Sequence, residues 1–299
     1  MGVKKQVVLF AFFLILVACA AFEVVPESPV TSIDGVAIDF EIQGKGSPTL
    51  VFIHGWSCDK TYWAEQISFF SKKFRTVTID LPGHGKSGVD RSNWTIEKFG
   101  EDVVTIVNKL NLKQVILIGH SMGGPIVIEA ALKIPDRVIG IVTVDSGALL
   151  NPTKDPSQKF VDGLLKKLRS DFPKTMNIIV KKHIFLPTSD QKLVQKVAAD
   201  MAAQPPEIGI EVQRGLLEWR MGDDWDSIKK VKAPICFINA ERSVPNMNLY
   251  KEVPHFKYRL IPNVGHFVML EDPIAFNQVL LQEIGELIKL AKQKDVVLK

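Results

Sequence analysis

Apolar and polar positions along the chain change period at regular intervals, and these changes divide it into elements. Apolar runs at Thr49–Ile53, Arg75–Ile79, Val115–Ile118 and Val138–Val144 have the length and β-branched content of buried strands. Between them lie stretches of helical period, such as Ile96, Phe99, Val103, Ile106 and Leu110 at spacings of three and four. Ahead of the first run, Asp34-Gly35 between Val30–Ile33 and Val36–Gln43 reads as a hairpin turn. Strands alternating with helices imply the α/β class, with a mostly parallel central sheet and helices on both faces. The alternation lapses over 146–222, where prolines and helical series such as Phe160, Leu164, Leu165 and Leu168 predict an inserted helical lid. Strands resume at Pro234–Ile238 and Lys257–Ile261, and a last helix over 272–290 carries Phe276, Leu280, Ile284 and Leu287 on one face. The expected organisation is a core of residues 30–145 and 223–290, the lid at 146–222, and residues 1–18 set apart as a signal.

That signal begins with Lys4 and Lys5, runs through eleven apolar residues from Val7 to Val17, and ends in small residues around Cys19. The apolar stretch reaches sixteen residues before Glu23, short of the roughly twenty that cross a bilayer, so it reads as an export tag. Leu16-Val17-Ala18-Cys19 resembles the lipobox of bacterial lipoproteins, which implies lipidation of Cys19 and a membrane-anchored protein. Ordinary cleavage at Ala18-Cys19-Ala20 is the alternative and would release a periplasmic or secreted protein. Removing the two signal lysines takes the formal charge from +4 to about +2, and no basic block is interleaved with aromatics; no nucleic-acid partner is expected. With Cys19 committed, Cys58 and Cys236 are too few for a disulfide framework. One bridge is possible, but Cys236 inside Pro234–Ile238 reads better as a small buried hydrophobe. No pair of histidines has ligand spacing with a nearby acid, so neither a metal nor another cofactor is expected.

The chemistry concentrates at Gly119-His120-Ser121-Met122-Gly123, which follows an apolar strand and precedes a helical series that includes Ile126, Val127, Ala130, Ala131 and Ile134. A serine on a sharp strand-to-helix turn needs almost side-chain-free residues two before and two after it, and Gly119 and Gly123 meet that demand. A hydroxyl at its ordinary pKa is a poor nucleophile, so Ser121 requires a base. Of the six histidines, His266 is selected by order and context, because it follows the strand Lys257–Ile261 and precedes the final helix. His54, His84, His120, His183 and His255 suit structural roles.

Four motifs together resemble the α/β-hydrolase family over nearly all of residues 30–290. They are Phe52-Ile53-His54-Gly55-Trp56, Asp80-Leu81-Pro82-Gly83-His84-Gly85-Lys86-Ser87, Gly119-His120-Ser121-Met122-Gly123-Gly124 and Asn263-Val264-Gly265-His266-Phe267. The resemblance implies a catalytic triad built on Ser121 and His266, and an oxyanion hole from the backbone amides of Trp56 and Met122. The usual third member is missing: where the family commonly has an aspartate, Ala240-Glu241-Arg242-Ser243 places a serine. Asp145, at the end of Val138–Val144, is one candidate acid, Glu241 is the alternative, and the absence of an effective acid is a third reading. Asp80 is expected to be structural.

These residues imply a serine hydrolase (a carboxylic ester hydrolase foremost) acting on a small, largely apolar ester through an acyl-enzyme. Lactone or carbon–carbon bond hydrolysis is compatible with a serine nucleophile. Dehalogenases and epoxide hydrolases resemble the chain but use aspartate in the elbow, so Ser121 argues against both. A hydrophobic pocket is expected from the apolar lid helices and Trp63, Trp94, Trp219 and Trp225, although these residues suit a core equally well. A catalytically weak or inactive membrane-tethered binding protein on the same fold is the reading from a different class, and Ser243 is its support.

Overall fold

A computed structural model of the chain describes residues 28–146, 157–222, 224–244, 249–253 and 255–297. The signal segment 1–18, the lipidation candidate Cys19 and the side chain of Trp225 lie outside the described residues.

The described residues open with a two-stranded antiparallel hairpin, β1 (Val30–Thr31) and β2 (Ala37–Ile38), around the Asp34-Gly35 turn. The main sheet follows: β3 (Phe40–Gln43), β4 (Thr49–Ile53), helix α1 (Ala64–Phe70), β5 (Arg75–Ile79), α2 (Ile96–Lys109), β6 (Val115–His120), α3 (Gly123–Lys133) and β7 (Val138–Val144). Helices α4 (Gln158–Ser170), α5 (Phe172–Ile179), α6 (Gln191–Ala202), α7 (Pro206–Met221) and α8 (Asp224–Lys230) come next. β8 (Ile235–Ala240), β9 (Lys257–Ile261), α9 (Val268–Glu271) and α10 (Pro273–Val297) complete the order. The seven strands lie side by side as β3-β5-β4-β6-β7-β8-β9, all parallel except β3 at the edge.

This is the expected α/β architecture. β4, β6 and β8 are buried along their whole length, as their unbroken apolar runs require, with α1 and α10 packed together on one face and α2 with α3 on the other. The sequence order of strands reverses between β4 and β6, and the carboxyl ends of strands at such a reversal form a crevice where ligands bind.

Several boundaries differ from the sequence pattern, and β6 and β8 each run two residues past the end of their apolar runs. The run Val36–Gln43 is broken at Asp39, which leaves the sheet to serve other partners: its amide donates to Ser87 Oγ and its carboxylate pairs with the buried Lys60 ammonium. Lys60 also binds Asp80 at 2.9 Å, giving Asp80 a structural position under the loop at Gly85. The final helix runs on to Val297, past the expected end at 290. Cys58 and Cys236 are both buried free thiols, so the possible bridge between them does not form, and burial raises the pKa of each.

Candidate active site

Three strand ends and one loop bring the candidate residues to the same edge of the sheet. Ser121 follows β6 directly with a left-handed backbone, φ 52°, while its amide still donates to Val144 O of β7 at 2.9 Å. The turn is tight enough that side chains are excluded around it. A Cβ on Gly119 would sit 2.1 Å from Gly123 O, and one on Gly123 would sit 2.7 Å from Ile53 O. Neither glycine has positive φ; close approach of backbone, rather than conformational freedom, is what requires them.

Asp145 follows β7 in the same conformation, φ 46°. Its amide donates to Ile238 O of β8 at 2.9 Å, and its Oδ1 accepts the Ala240 amide at 2.9 Å. The remaining oxygen, Oδ2, lies 2.7 Å from His266 Nδ1. An ionised carboxylate can only accept, so this contact calls for the imidazole proton on Nδ1, and a neutral ring then presents its lone pair at Nε2. The Asp145 side chain is almost fully enclosed and that of His266 is about one-fifth exposed. Glu241, in contrast, stands exposed in a short 3-10 turn and makes no hydrogen bond to His266 among the described residues. Ser243 offers only its backbone carbonyl, to Asn239 Nδ2 at 2.9 Å.

His266 lies against the ring of His120, whose centroid is 4.7 Å away, and His120 adjoins Ser121 in the chain. No hydrogen bond joins Ser121 to His266 among the described residues; such bonds are often long before substrate binds. The loop bearing His266 is fastened at several points. Asn263 takes a left-handed conformation, the Gly265 amide donates to Glu271 Oε1 at 2.8 Å, and the His266 amide donates to Ile184 O at 2.9 Å. His120 Nε2 donates to the His266 carbonyl at 3.0 Å, which leaves its Nδ1 buried without a partner against Gly55. Burial, reinforced by the neighbouring His266, lowers the His120 pKa well below the usual histidine value and holds the ring neutral.

The Trp56 and Met122 amides donate to no other group among the described residues, which leaves both available to a ligand oxygen. Gly55 abuts Ser121 and Met122 precedes the first turn of α3, so both amides belong to backbone that borders the serine. Of the remaining histidines, His183 and His255 are exposed, whereas His54 donates through Nδ1 to Gly55 O and accepts the Leu81 amide at Nε2. His84 donates to Pro82 O, and burial with His54 as its neighbour lowers its pKa to about 3.

A cavity of about 1090 Å³ opens between α4 and α5; the buried Trp56 is among its lining residues, and Ser121, Asp145 and His266 are not. The Trp56 indole donates to Gly209 O of α7 at 2.9 Å and meets Phe172 of α5 edge-on. Trp63 and Trp94 are core residues, and Trp219 is tied to Glu129 at 3.0 Å; of these aromatic rings only Trp56 lines this cavity among the described residues. The sequence carried no signal for Ile184, whose carbonyl receives both the His266 amide and the Arg242 guanidinium, or for Glu271, whose carboxylate receives the Gly265 amide.

A family model described as the alpha/beta hydrolase fold matches residues 48–273. The chain belongs to this family. Among its α/β-hydrolase relatives are the bifunctional epoxide hydrolase 2 of Sus scrofa (25% identical, 83% of this chain and 53% of that protein) and the uncharacterized hydrolase YugF of Bacillus subtilis (26%, covering 86% and 96%). The chain thus spans about half the length of the porcine protein. A pimeloyl-[acyl-carrier protein] methyl ester esterase of Nitrosomonas europaea is 24% identical, covering 80% of this chain and 96% of that one. Among solved α/β-hydrolase structures, a thermophilic esterase of Thermogutta terrifontis superposes with a TM-score of 0.74 at 21% identity, covering 87% of this chain and 97% of that one. The enol-lactonase of Burkholderia xenovorans LB400 gives 0.75 at 18%, covering 86% and 99%.

Proposed function

We propose that the chain is a serine hydrolase that cleaves carboxylic esters through an acyl-enzyme. The observation that carries this reading is the 2.7 Å contact between Asp145 Oδ2 and His266 Nδ1 at the sheet edge that also bears the strained Ser121 turn. With its proton held on Nδ1, His266 has Nε2 free to take the proton of Ser121 Oγ as that oxygen attacks the acyl carbon. The carboxylate of Asp145 stabilises the imidazolium so formed, and the Trp56 and Met122 amides stabilise the oxyanion. Collapse of the tetrahedral intermediate passes the proton to the departing alkoxide, and water, activated by the same imidazole, then releases the acid. Esters are favoured because the pimeloyl methyl ester esterase and the enol-lactonase, to which the chain is similar, both take their names from ester-type substrates.

Reaction with a fluorophosphonate probe tests the reading. Wild type should be labelled and should hydrolyse a short p-nitrophenyl ester, while Ser121→Ala should do neither. An unlabelled wild type would overturn the enzyme reading in favour of a binding protein. On the sequence alone, we also propose that Cys19 is lipidated; incorporation of labelled palmitate in a bacterial host should disappear in Cys19→Ala.

A further inference from the structure

The cavity between α4 and α5 has a chemistry that an apolar ester does not explain. Phe160, Leu164, Ile178 and Ile179 give it apolar walls, and the buried Trp56 lines it with them. Lys159, Lys167 and Lys174 line it as well, all three exposed, and none makes an ion pair with a carboxylate of the described residues. Asp171, the acid on the same lining, is engaged as the N-cap of α5, its Oδ1 accepting the Lys174 amide at 3.0 Å. The imbalance is local: from Ser157 to Ile184 seven Lys and Arg stand against two Asp, a surplus of five charges in a chain whose total is +4.

An apolar trough with unpaired ammonium groups at its opening matches an amphiphile, whose chain gains from burial and whose charge gains from the rim. We infer that this groove binds an acyl chain bearing an anionic group, a carboxylate or a phosphate ester, with the anion at the lysines. The cavity is concave and of ligand size, which favours a single amphiphile over a membrane surface. Ser121 and His266 are not among the residues that line the cavity; its link to them is Trp56, which adjoins Gly55 and through it Ser121, so the inner end of the chain would approach the serine from that side. In that respect the inference rests on the hydrolase reading and narrows its substrate to anionic acyl esters.

Binding is measured without turnover, using the fluorescent fatty acid cis-parinaric acid and its methyl ester. The acid should bind more tightly than the ester, and its affinity should fall as salt rises from about 0.05 to 0.5 M. Reversing the rim in Lys167→Glu/Lys174→Glu should weaken the acid roughly tenfold and the ester by less than about twofold. Leu164→Trp, which fills the trough, should weaken both. Equal affinity for acid and ester, or indifference of the acid to rim reversal and to salt, would overturn the inference. So would binding only to phosphatidylglycerol vesicles with none to the monomeric acid, since the basic face would then be a membrane contact. Failure of p-nitrophenyl ester hydrolysis with acid binding intact would sink the hydrolase reading alone; the converse would sink the groove alone.

Discussion

The sheet edge that carries Ser121 and Asp145 and the helices that cover it hold their residues in place by different means. At the sheet edge the backbone does the holding: Ser121 N to Val144 O and Asp145 N to Ile238 O extend the ladder past the ends of β6 and β7, and both residues take conformations that an unsupported chain would avoid. The covering helices are held by scattered side-chain contacts, Trp56 to Gly209, Gln204 to Gly83 and Trp219 to Glu129, and leave Phe160 and Ile178 substantially exposed, at 57% and 43%. Under the proposed hydrolase reading, chemistry that tolerates little displacement sits on the first kind of support, while a surface that must admit a substrate sits on the second.

The sharpest way to break this contrast is to remove one charge from the rigid side. Asp145→Asn should lower kcat/KM for a p-nitrophenyl ester by about 10⁴, because the orienting carboxylate and the Nδ1 tautomer are lost together, whereas Glu241→Gln should stay within about twofold of wild type. Equal losses in the two variants would remove Asp145 from the mechanism. Next in size, Gly119→Ala should cost about 3 kcal/mol or more in chemical denaturation, since its Cβ would meet Gly123 O at 2.1 Å and neither partner is a movable side chain.

A pH series probes the same rigid region more gently. Burial lowers the pKa of His54 and His120 and takes that of His84 from 6.5 to about 3. Below pH 6.5 the unfolded chain binds protons that the folded chain refuses, so stability should fall as pH drops from 6.5 toward 3, by at most ~1.4 kcal/mol per pH unit for each histidine. His84→Asn should flatten that slope in thermal melts between about pH 7 and 4. The smallest effect belongs to the covering helices: Phe160→Ser should change stability by less than about 0.5 kcal/mol, because most of that ring is already in water. A loss above about 2 kcal/mol would mean that the two regions are less distinct than the contacts indicate.

Much of the fold was legible because hydrophobic period is a local property. Arg75–Ile79, Val138–Val144 and Lys257–Ile261 are strands with the residues their patterns mark, and Ser121 was marked by the glycines its turn needs. What escaped depends on groups distant in sequence, which leave no period behind. Asp39 breaks a strand because Ser87 and Lys60 claim it, and the fastening of the His266 loop runs through the carbonyl of Ile184. The competition between Asp145 and Glu241 for one histidine is of the same kind. The contact of Asp145 with His266 turns on β8 lying next to β7, where the Ala240 amide fixes one carboxylate oxygen and frees the other.

After α5 the helix widens into a single π turn, Val180–Ile184, and the last carbonyl of that turn receives both the His266 amide and the Arg242 guanidinium. Motion at this corner would carry the His266 loop with it and disturb the contact between the imidazole and Asp145. One carbonyl thus ties the helical cover, the turn after β8 and the loop after β9 to a common point, so that a shift in any one of them would be felt by the other two.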